Sequence, residues 1–343
     1  MIGSQRHTND LSRELKVAGV PDYRVVGRIA MEVEDGETAA DDIPTLGAIA
    51  DIGTLVEKHD LRLLILSGEV AQFIVLEEIS DSCLHLPVRV WSLSGFYEDV
   101  FGHVPVAEIN SSWFQYIMHP AYRATSPASK RALDLAIALV IGAVFLPLFC
   151  LLALLIKRDG GPVFFRQTRI GEGGRPLTVN KLRTMRVDAG GSAQWATEDD
   201  PRITPIGRLL RRAHLDEMPQ LINVIKGEMS LVGPRPEQPE FVDRLEDMIP
   251  FYQRRHLLKP GITGWAQVRC GYAGSDIGSA WKLSHDLYYL KQRSMAFDLA
   301  ILLETLRTFF SDGAYAAEPK PGFVHHHSNA QAEQAPAAAV SHS

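Results

Sequence analysis

No charged side chain interrupts residues 135–156, and an apolar run of about 20 residues is what a helix needs to cross the hydrocarbon core of a bilayer. The run predicts a membrane helix over residues 133–156. Lys130 and Arg131 precede it, and Lys157 and Arg158 follow it. A straight span leaves its non-cytoplasmic end poor in Lys and Arg, so basic pairs at both ends favour a re-entrant hairpin that returns to the cytoplasmic face. Pro147 offers the bend, because proline lacks the backbone donor and crowds the carbonyl four residues earlier. A kinked straight span tolerates the same residue, and a buried core helix is the other alternative.

Ahead of this run the apolar pattern is shorter. Residues 23–31, 62–66 and 87–91 read as buried strands, while 45–58 and 70–82 carry helical periodicity. Strands alternating with helices predict a small parallel α/β unit over residues 1–118. No Gly-rich turn follows a first strand, and the chain opens on a helix-like stretch at 10–16, as if that strand had been left out. Residues 119–129, with Pro120 and Pro127, read as a linker. Beyond the membrane run, 281–290 and 298–306 read as two amphipathic helices, and Tyr288, Tyr289, Phe309 and Phe310 suit a membrane interface or an ordinary core equally. His285-Asp286 reads as structural. Residues 313–343, rich in Ala, Gln, Ser and His, read as a disordered tail in which His325, His326 and His327 are solvated.

Composition adds a direction. The 343 residues are 46% apolar and 22% charged, ordinary for folded protein. The net charge of −6 hides an asymmetry: residues 1–125 hold 9 Lys and Arg against 19 Asp and Glu, which leaves 26 against 22 for the remainder. The second part is thus the better host for anions. Cys83, Cys150 and Cys270 are too far apart for a disulfide framework or a zinc site. The opening residues carry no secretory pattern, so the bulk of the chain is expected in the cytosol.

In that second part Arg and Lys gather beside glycines and prolines, at 164–171, 180–185, 200–204 and 233–236. Guanidinium forks and ammonium charges held by fixed turns suit phosphate oxygens. Each cluster alone reads as a surface face paired to carboxylates sooner than as a site; four of them around one acidic pair, Asp216-Glu217, shift the balance towards function. Pro219 suits the first turn of a helix running to about Lys226, which sets both carboxylates at a helix N-terminus. Helix capping accounts for such a pair. The functional alternative has one carboxylate attack phosphorus while the other helps to hold Mg²⁺ against phosphate oxygens.

Lys130-Arg131-Ala-Leu-Asp134, the apolar run, Gly161-Pro-Val-Phe-Phe-Arg-Gln167, Lys181-Leu-Arg-Thr-Met185, Asp200-Pro-Arg-Ile-Thr-Pro-Ile-Gly-Arg208, Leu215-Asp-Glu-Met-Pro-Gln220, Met229-Ser-Leu-Val-Gly-Pro-Arg-Pro236 and Lys259-Pro-Gly-Ile-Thr-Gly-Trp-Ala-Gln267 follow one another in order. Over about residues 128–312 the chain resembles the bacterial sugar transferases, the polyprenyl-phosphate sugar-1-phosphate transferases. The resemblance implies a mostly helical monotopic catalytic domain, residues 130–312, with a re-entrant membrane helix. It also implies a Mg²⁺ requirement and transfer from a UDP-sugar to polyprenyl phosphate through a phosphosugar on Asp216, with UMP released. Glu217 matches the partner carboxylate and shares the metal with Asp216; Lys181, Arg183, Arg202 and Arg235 are expected at the diphosphate or the leaving nucleotide. Leu182 and Met218 depart from common family residues but keep an apolar side chain.

Residues 10–110 resemble an incomplete Rossmann-like domain of the larger members. The expected setting is the bacterial inner membrane, with the catalytic domain on the cytoplasmic face, at the first membrane step of exopolysaccharide, capsule or O-antigen synthesis. Membrane lipid is an expected partner, a homo-oligomer is compatible with the sequence, and nucleic acid is not expected. Two rival readings remain: a glycosyltransferase whose metal sits on Glu198-Asp199-Asp200, and a non-catalytic scaffold for polysaccharide assembly.

Overall fold

A computed structural model describes residues 1–31, 43–68, 79–106, 109, 113, 127–158, 160–186, 200–270 and 276–310, with only the backbone at 309–310. The chain divides into two compact units, Met1–Gln115 and Tyr116–Ser343.

In the first unit, β1 (Arg28–Ala30) pairs in parallel with β2 (Thr45–Ala48), and β3 (Leu63–Leu66) with β4 (Arg89–Ser92). The space between the pairs, where a first strand was expected to be missing, is filled by the opening residues. Ile2 bridges Ile29 on one side and Leu66 on the other, both in parallel. The Met1 ammonium, its pKa lowered by burial to about 6, donates to the Gly27 carbonyl at 2.8 Å. Helix α1 (Gln5–Ala18) follows, capped by the Ser4 hydroxyl and closed by Gly19 in the left-handed region.

The stretch 45–58, read as helical throughout, is divided: Thr45–Ala48 joins β1, a 3₁₀ turn covers Ile49–Asp51, and helix α2 occupies Ile52–Lys58. Pairing with β1 overrides helical periodicity there. Of the stretch 70–82, residues 70–78 lie outside the described residues, and 79–83 are helical. Helix α3 (Leu93–Phe101) closes the unit by packing Phe96 and Tyr97 against Leu11, Leu15 and Ile65.

The second unit begins with α4 (Ala128–Lys157), 30 residues with Pro147 inside. It starts five residues before the expected 133 and ends one after 156. Only 11% of its most apolar window is buried, and it is long and apolar enough to cross a membrane. Val140, Val144 and Leu154 point outward at 64%, 77% and 70% exposure. Both ends are fastened to the same unit. At the start, Lys130 meets Asp298 at 2.6 Å, Arg131 donates to the carbonyls of Val224 and Ile225, and Asp134 accepts from Ser230 and Leu231. At the finish, Leu152 and Ile156 pack against Leu182 and Leu210.

Behind α4 lie an antiparallel hairpin, β5 (Phe164–Ile170) with β6 (Pro176–Leu182), and helix α5 (Pro205–Arg212). A 3₁₀ turn (Leu215–Gln220) leads into α6 (Leu221–Lys226) and strand β7 (Ser230–Val232), which pairs in parallel with β8 (Gly261–Thr263). Helix α7 (Pro239–Met248) and a 3₁₀ turn (Tyr252–Leu257) lie between those strands, and α8 (Trp265–Cys270), α9 (Asp276–Gln292) and α10 (Met295–Phe310) follow. The unit is therefore mixed helix and sheet. Helix α9, read as amphipathic, buries Trp281, Leu283, Leu287, Tyr289 and Leu290, while α10 leaves Leu299, Leu303 and Leu306 exposed. Tyr289 is core, donating to Asp298 at 2.6 Å, and Tyr288 is half-buried near Trp265 and Phe297.

Candidate active site

The motifs meet in pairs, and glycine is why they can. A Cβ on Gly207 would stand 2.0 Å from the Thr184 carbonyl oxygen, so residues 200–208 press directly on 181–185. Thr204 N–H and Arg186 N–H complete that contact by donating to Thr184 and Arg202 carbonyls. A Cβ on Gly233 would lie 2.3 Å from the Lys259 oxygen, and one on Gly261 2.1 Å from the Gly233 nitrogen. Backbone meets backbone at both places, which only a missing side chain permits.

Between these joints runs the acidic pair. His214, in the left-handed region at φ 50°, turns the chain into the 3₁₀ turn that holds Asp216 and Glu217, with Pro219 inside it. The two carboxylates have opposite surroundings. Glu217 Oε1 accepts from Lys181 Nζ at 2.7 Å and from Arg235 Nη2 at 2.5 Å, and Oε2 accepts from Arg235 Nη1 at 3.1 Å. Burial opposes its charge, but Arg235 and Lys181 outweigh burial and hold its pKa well below the usual carboxylate range.

The Asp216 carboxylate makes no hydrogen bond or ion pair with any described residue. Burial, followed by the adjacent Glu217 charge, pushes its pKa up, against the pull of Lys181, Arg211 and Arg235. Side by side stand a locked carboxylate and a poorly hydrated one that no described residue engages.

Of the residues picked from the sequence, Lys181 and Arg235 therefore join the pair. Arg183 and Arg202 make contacts with other groups. Arg183 is buried and donates to the carbonyls of Pro162 at 2.7 Å and Ile156 at 3.1 Å, where it ties down the end of α4. Arg202 forks onto Asp200, with contacts of 2.6 to 3.0 Å. Those hydrogen bonds hold the Asp200 carboxyl down to about 2. Asp200 is thus engaged by a cation, and Glu198 and Asp199 of the rival metal triplet lie outside the described residues.

Two cations not singled out from the sequence act at the site. Arg211, whose Nε donates to the Thr184 hydroxyl at 2.9 Å, lowers the pKa of both Asp216 and Asp200. Arg169 acts on Lys181 and donates to the Pro236 carbonyl. Arg169 falls in the cluster 164–171, and Arg211 lies five residues before Asp216; that nearness was the available signal. Among the described residues no three metal-ligating side chains cluster.

Similarity to other proteins points the same way. A family model described as bacterial sugar transferase matches residues 125–312. A protein of Aeromonas hydrophila named UDP-N-acetylgalactosamine-undecaprenyl-phosphate N-acetylgalactosaminephosphotransferase is 37% identical over 273 residues, 79% of this chain and 62% of that protein. UDP-glucose:undecaprenyl-phosphate glucose-1-phosphate transferases of Escherichia coli K12 and Caulobacter vibrioides are 41% and 43% identical, over 54% and 57% of this chain and 41% and 75% of their own lengths.

Proposed function

The chain belongs to the bacterial sugar transferase family, and on that premise we propose that it moves a sugar-1-phosphate from a UDP-sugar to polyprenyl phosphate, with Asp216 as nucleophile. The observation that carries the assignment is the contrast within the acidic pair. Asp216 is desolvated and has no hydrogen-bond or ion-pair partner among the described residues, which leaves its oxygens available for attack, whereas Glu217 is committed to two cations.

An Asp216 oxygen forms a bond to the sugar-bearing phosphorus as the bond from that phosphorus to the bridging oxygen breaks, and UMP leaves with the electron pair. An oxygen of polyprenyl phosphate then attacks the same phosphorus, and the Asp216 carboxylate departs. Lys181, Arg235, Arg211 and Arg169 supply positive charge for the diphosphate in a site that excludes much of the water. Burial is what makes that charge effective.

Mg²⁺ fits this donor set, since it commonly takes one or two carboxylates together with phosphate oxygens. Asp216 and Glu217 are the residues that would hold it, with Asp216 the readier because its oxygens have no hydrogen-bond or ion-pair partner among the described residues. When bound, it neutralises charge on the phosphate oxygens.

Helix α4 enters the membrane re-entrantly and leaves both ends on the cytoplasmic face of the bacterial inner membrane. Support comes from the basic residues at each end and from the attachment of both ends to one unit. The acceptor head group then reaches the site from the lipid side. The first unit has the parallel pairing of a Rossmann-like domain and serves as an accessory module. The reaction opens exopolysaccharide, capsule or O-antigen assembly at the membrane.

The test is to incubate the reconstituted protein with Mg²⁺, polyprenyl phosphate and a panel of UDP-sugars. UMP release, abolished in Asp216→Asn, is expected. UDP release instead points to glycosyl transfer without phosphate, and unchanged polysaccharide assembly with Asp216→Asn points to the scaffold.

A further inference from the structure

Arg235 sits in Gly233-Pro-Arg-Pro-Glu237, and a segment with proline on both sides of the working residue has lost two of its own amide donors. It has to be held by its carbonyls. Four consecutive carbonyls are engaged. Pro234 O accepts from Gly261 N–H at 2.9 Å, Arg235 O from Arg255 Nη2 at 3.1 Å, Pro236 O from Arg169 Nη1 at 3.2 Å and Glu237 O from Ile170 N–H at 2.8 Å.

The bond to Arg235 itself comes from an almost fully buried charge. Arg255, 2% exposed, meets Glu237 at 2.7 Å and Asp286 at 2.8 Å. Its Nη1 donates to the Tyr252 hydroxyl at 2.7 Å, and that hydroxyl donates in turn to Glu237. One guanidinium therefore joins the 3₁₀ turn, helix α9 and the Arg235 segment through both of its terminal nitrogens. A lysine has a single nitrogen and cannot span those partners.

We propose that Arg255 is a positioning residue whose buried network with Tyr252, Glu237 and Asp286 fixes the backbone of Arg235, and so aims the Arg235 guanidinium at Glu217 and the donor diphosphate. This rests on the reading that Arg235 faces the diphosphate. Arg255 touches no substrate. It acts through the carbonyl at the residue that does, and misplacing a charged group by about 1 Å is enough to cost about 100-fold in rate.

The test is a double-mutant cycle on the full chain, with Arg235→Gln, Arg255→Lys, their combination, and Tyr252→Phe alone and with Arg235→Gln. UMP release gives kcat and KM for the UDP-sugar, and calorimetry gives UDP affinity. Arg255→Lys is expected to lower kcat/KM about 10- to 100-fold, and by less than about 3-fold once Arg235 is already Gln, because residues acting as one unit do not add. Tyr252→Phe follows the same pattern with a smaller loss, and it carries the test if Arg255→Lys does not fold. Equal losses with and without Arg235 overturn the inference and leave Arg255 a purely structural residue. A wild-type protein that releases no UMP from any donor overturns the proposed function, and UDP affinity measured across the same cycle still decides the positioning role.

Discussion

Neutralising the two adjacent carboxylates one at a time should move stability in opposite directions. Glu217→Gln keeps the shape but withdraws the charge that Lys181 and Arg235 share through three hydrogen bonds. Breaking a buried pair from one side costs about 3–5 kcal/mol. Lys181 and Arg235 retain 18% and 33% side-chain exposure, so solvent recovers part of this and about 2–3 kcal/mol remains. At roughly 2–4 °C per kcal/mol for a unit of this size, the melting midpoint falls by about 4–12 °C.

Asp216→Asn removes a charge whose burial Lys181, Arg211 and Arg235 offset only in part, and the midpoint rises by about 2–4 °C. The signs follow from linkage. Asp216 binds its proton more readily folded than unfolded, so its charged form costs stability at pH 7. Glu217 binds its proton less readily when folded, so its contribution is complete at pH 7 and is lost only as pH falls below the ordinary glutamate range. Thermal unfolding of the detergent-solubilised protein at pH 7 measures both. Two shifts of the same sign, or stabilisation by Glu217→Gln, would refute the division of the pair.

With Asp216 as the proposed nucleophile, active only when ionised, turnover should fall on the acid side with an apparent pKa above that of an ordinary aspartate, since burial raises its pKa; a kcat/KM profile with no loss until below about pH 4 contradicts it. Gly207→Ala forces a Cβ to 2.0 Å from a carbonyl oxygen and should cost about 3 kcal/mol or more, whereas Gly142→Ala, with nothing within 4 Å, should be neutral or mildly stabilising, both read by thermal unfolding. Arg183→Gln should lower the melting midpoint well beyond Arg202→Gln, since Arg183 is buried on two carbonyls whereas the Arg202 fork on Asp200 is partly solvated, and exposed ion pairs contribute little.

Much of the site was legible because its logic is local. A pair of acids before Pro219, a lysine in a strand and an arginine between prolines are visible as residue types at fixed spacings. Which carboxylate the cations engage was not, because it depends on partners far along the chain: Lys181 and Arg235 are 36 and 18 residues from Glu217. Arg183 and Arg202 show the same gap. An arginine in a basic motif reads alike whether its fork meets phosphate, a carboxylate or a backbone carbonyl, and here the structure gives them carbonyls and Asp200. In the first unit the α/β alternation was readable, but a strand at 45–48 hidden in helical periodicity was not, since pairing with β1 decides it. Nor did a pattern of two or three residues suggest that Met1–Gly3 would lie in the middle of the sheet.

The fastening of α4 at both ends has a bearing on the surrounding lipid. A free apolar helix meets a thicker or thinner bilayer by tilting. A helix tied at Lys130, Arg131 and Asp134 and again at Leu152 and Ile156 has surrendered that adjustment, since its angle is fixed by the body it is tied to. The lipid must conform to the protein instead. Activity across vesicles of graded acyl-chain length should therefore show a single preferred thickness, a property of the scaffold that no residue touching phosphate controls.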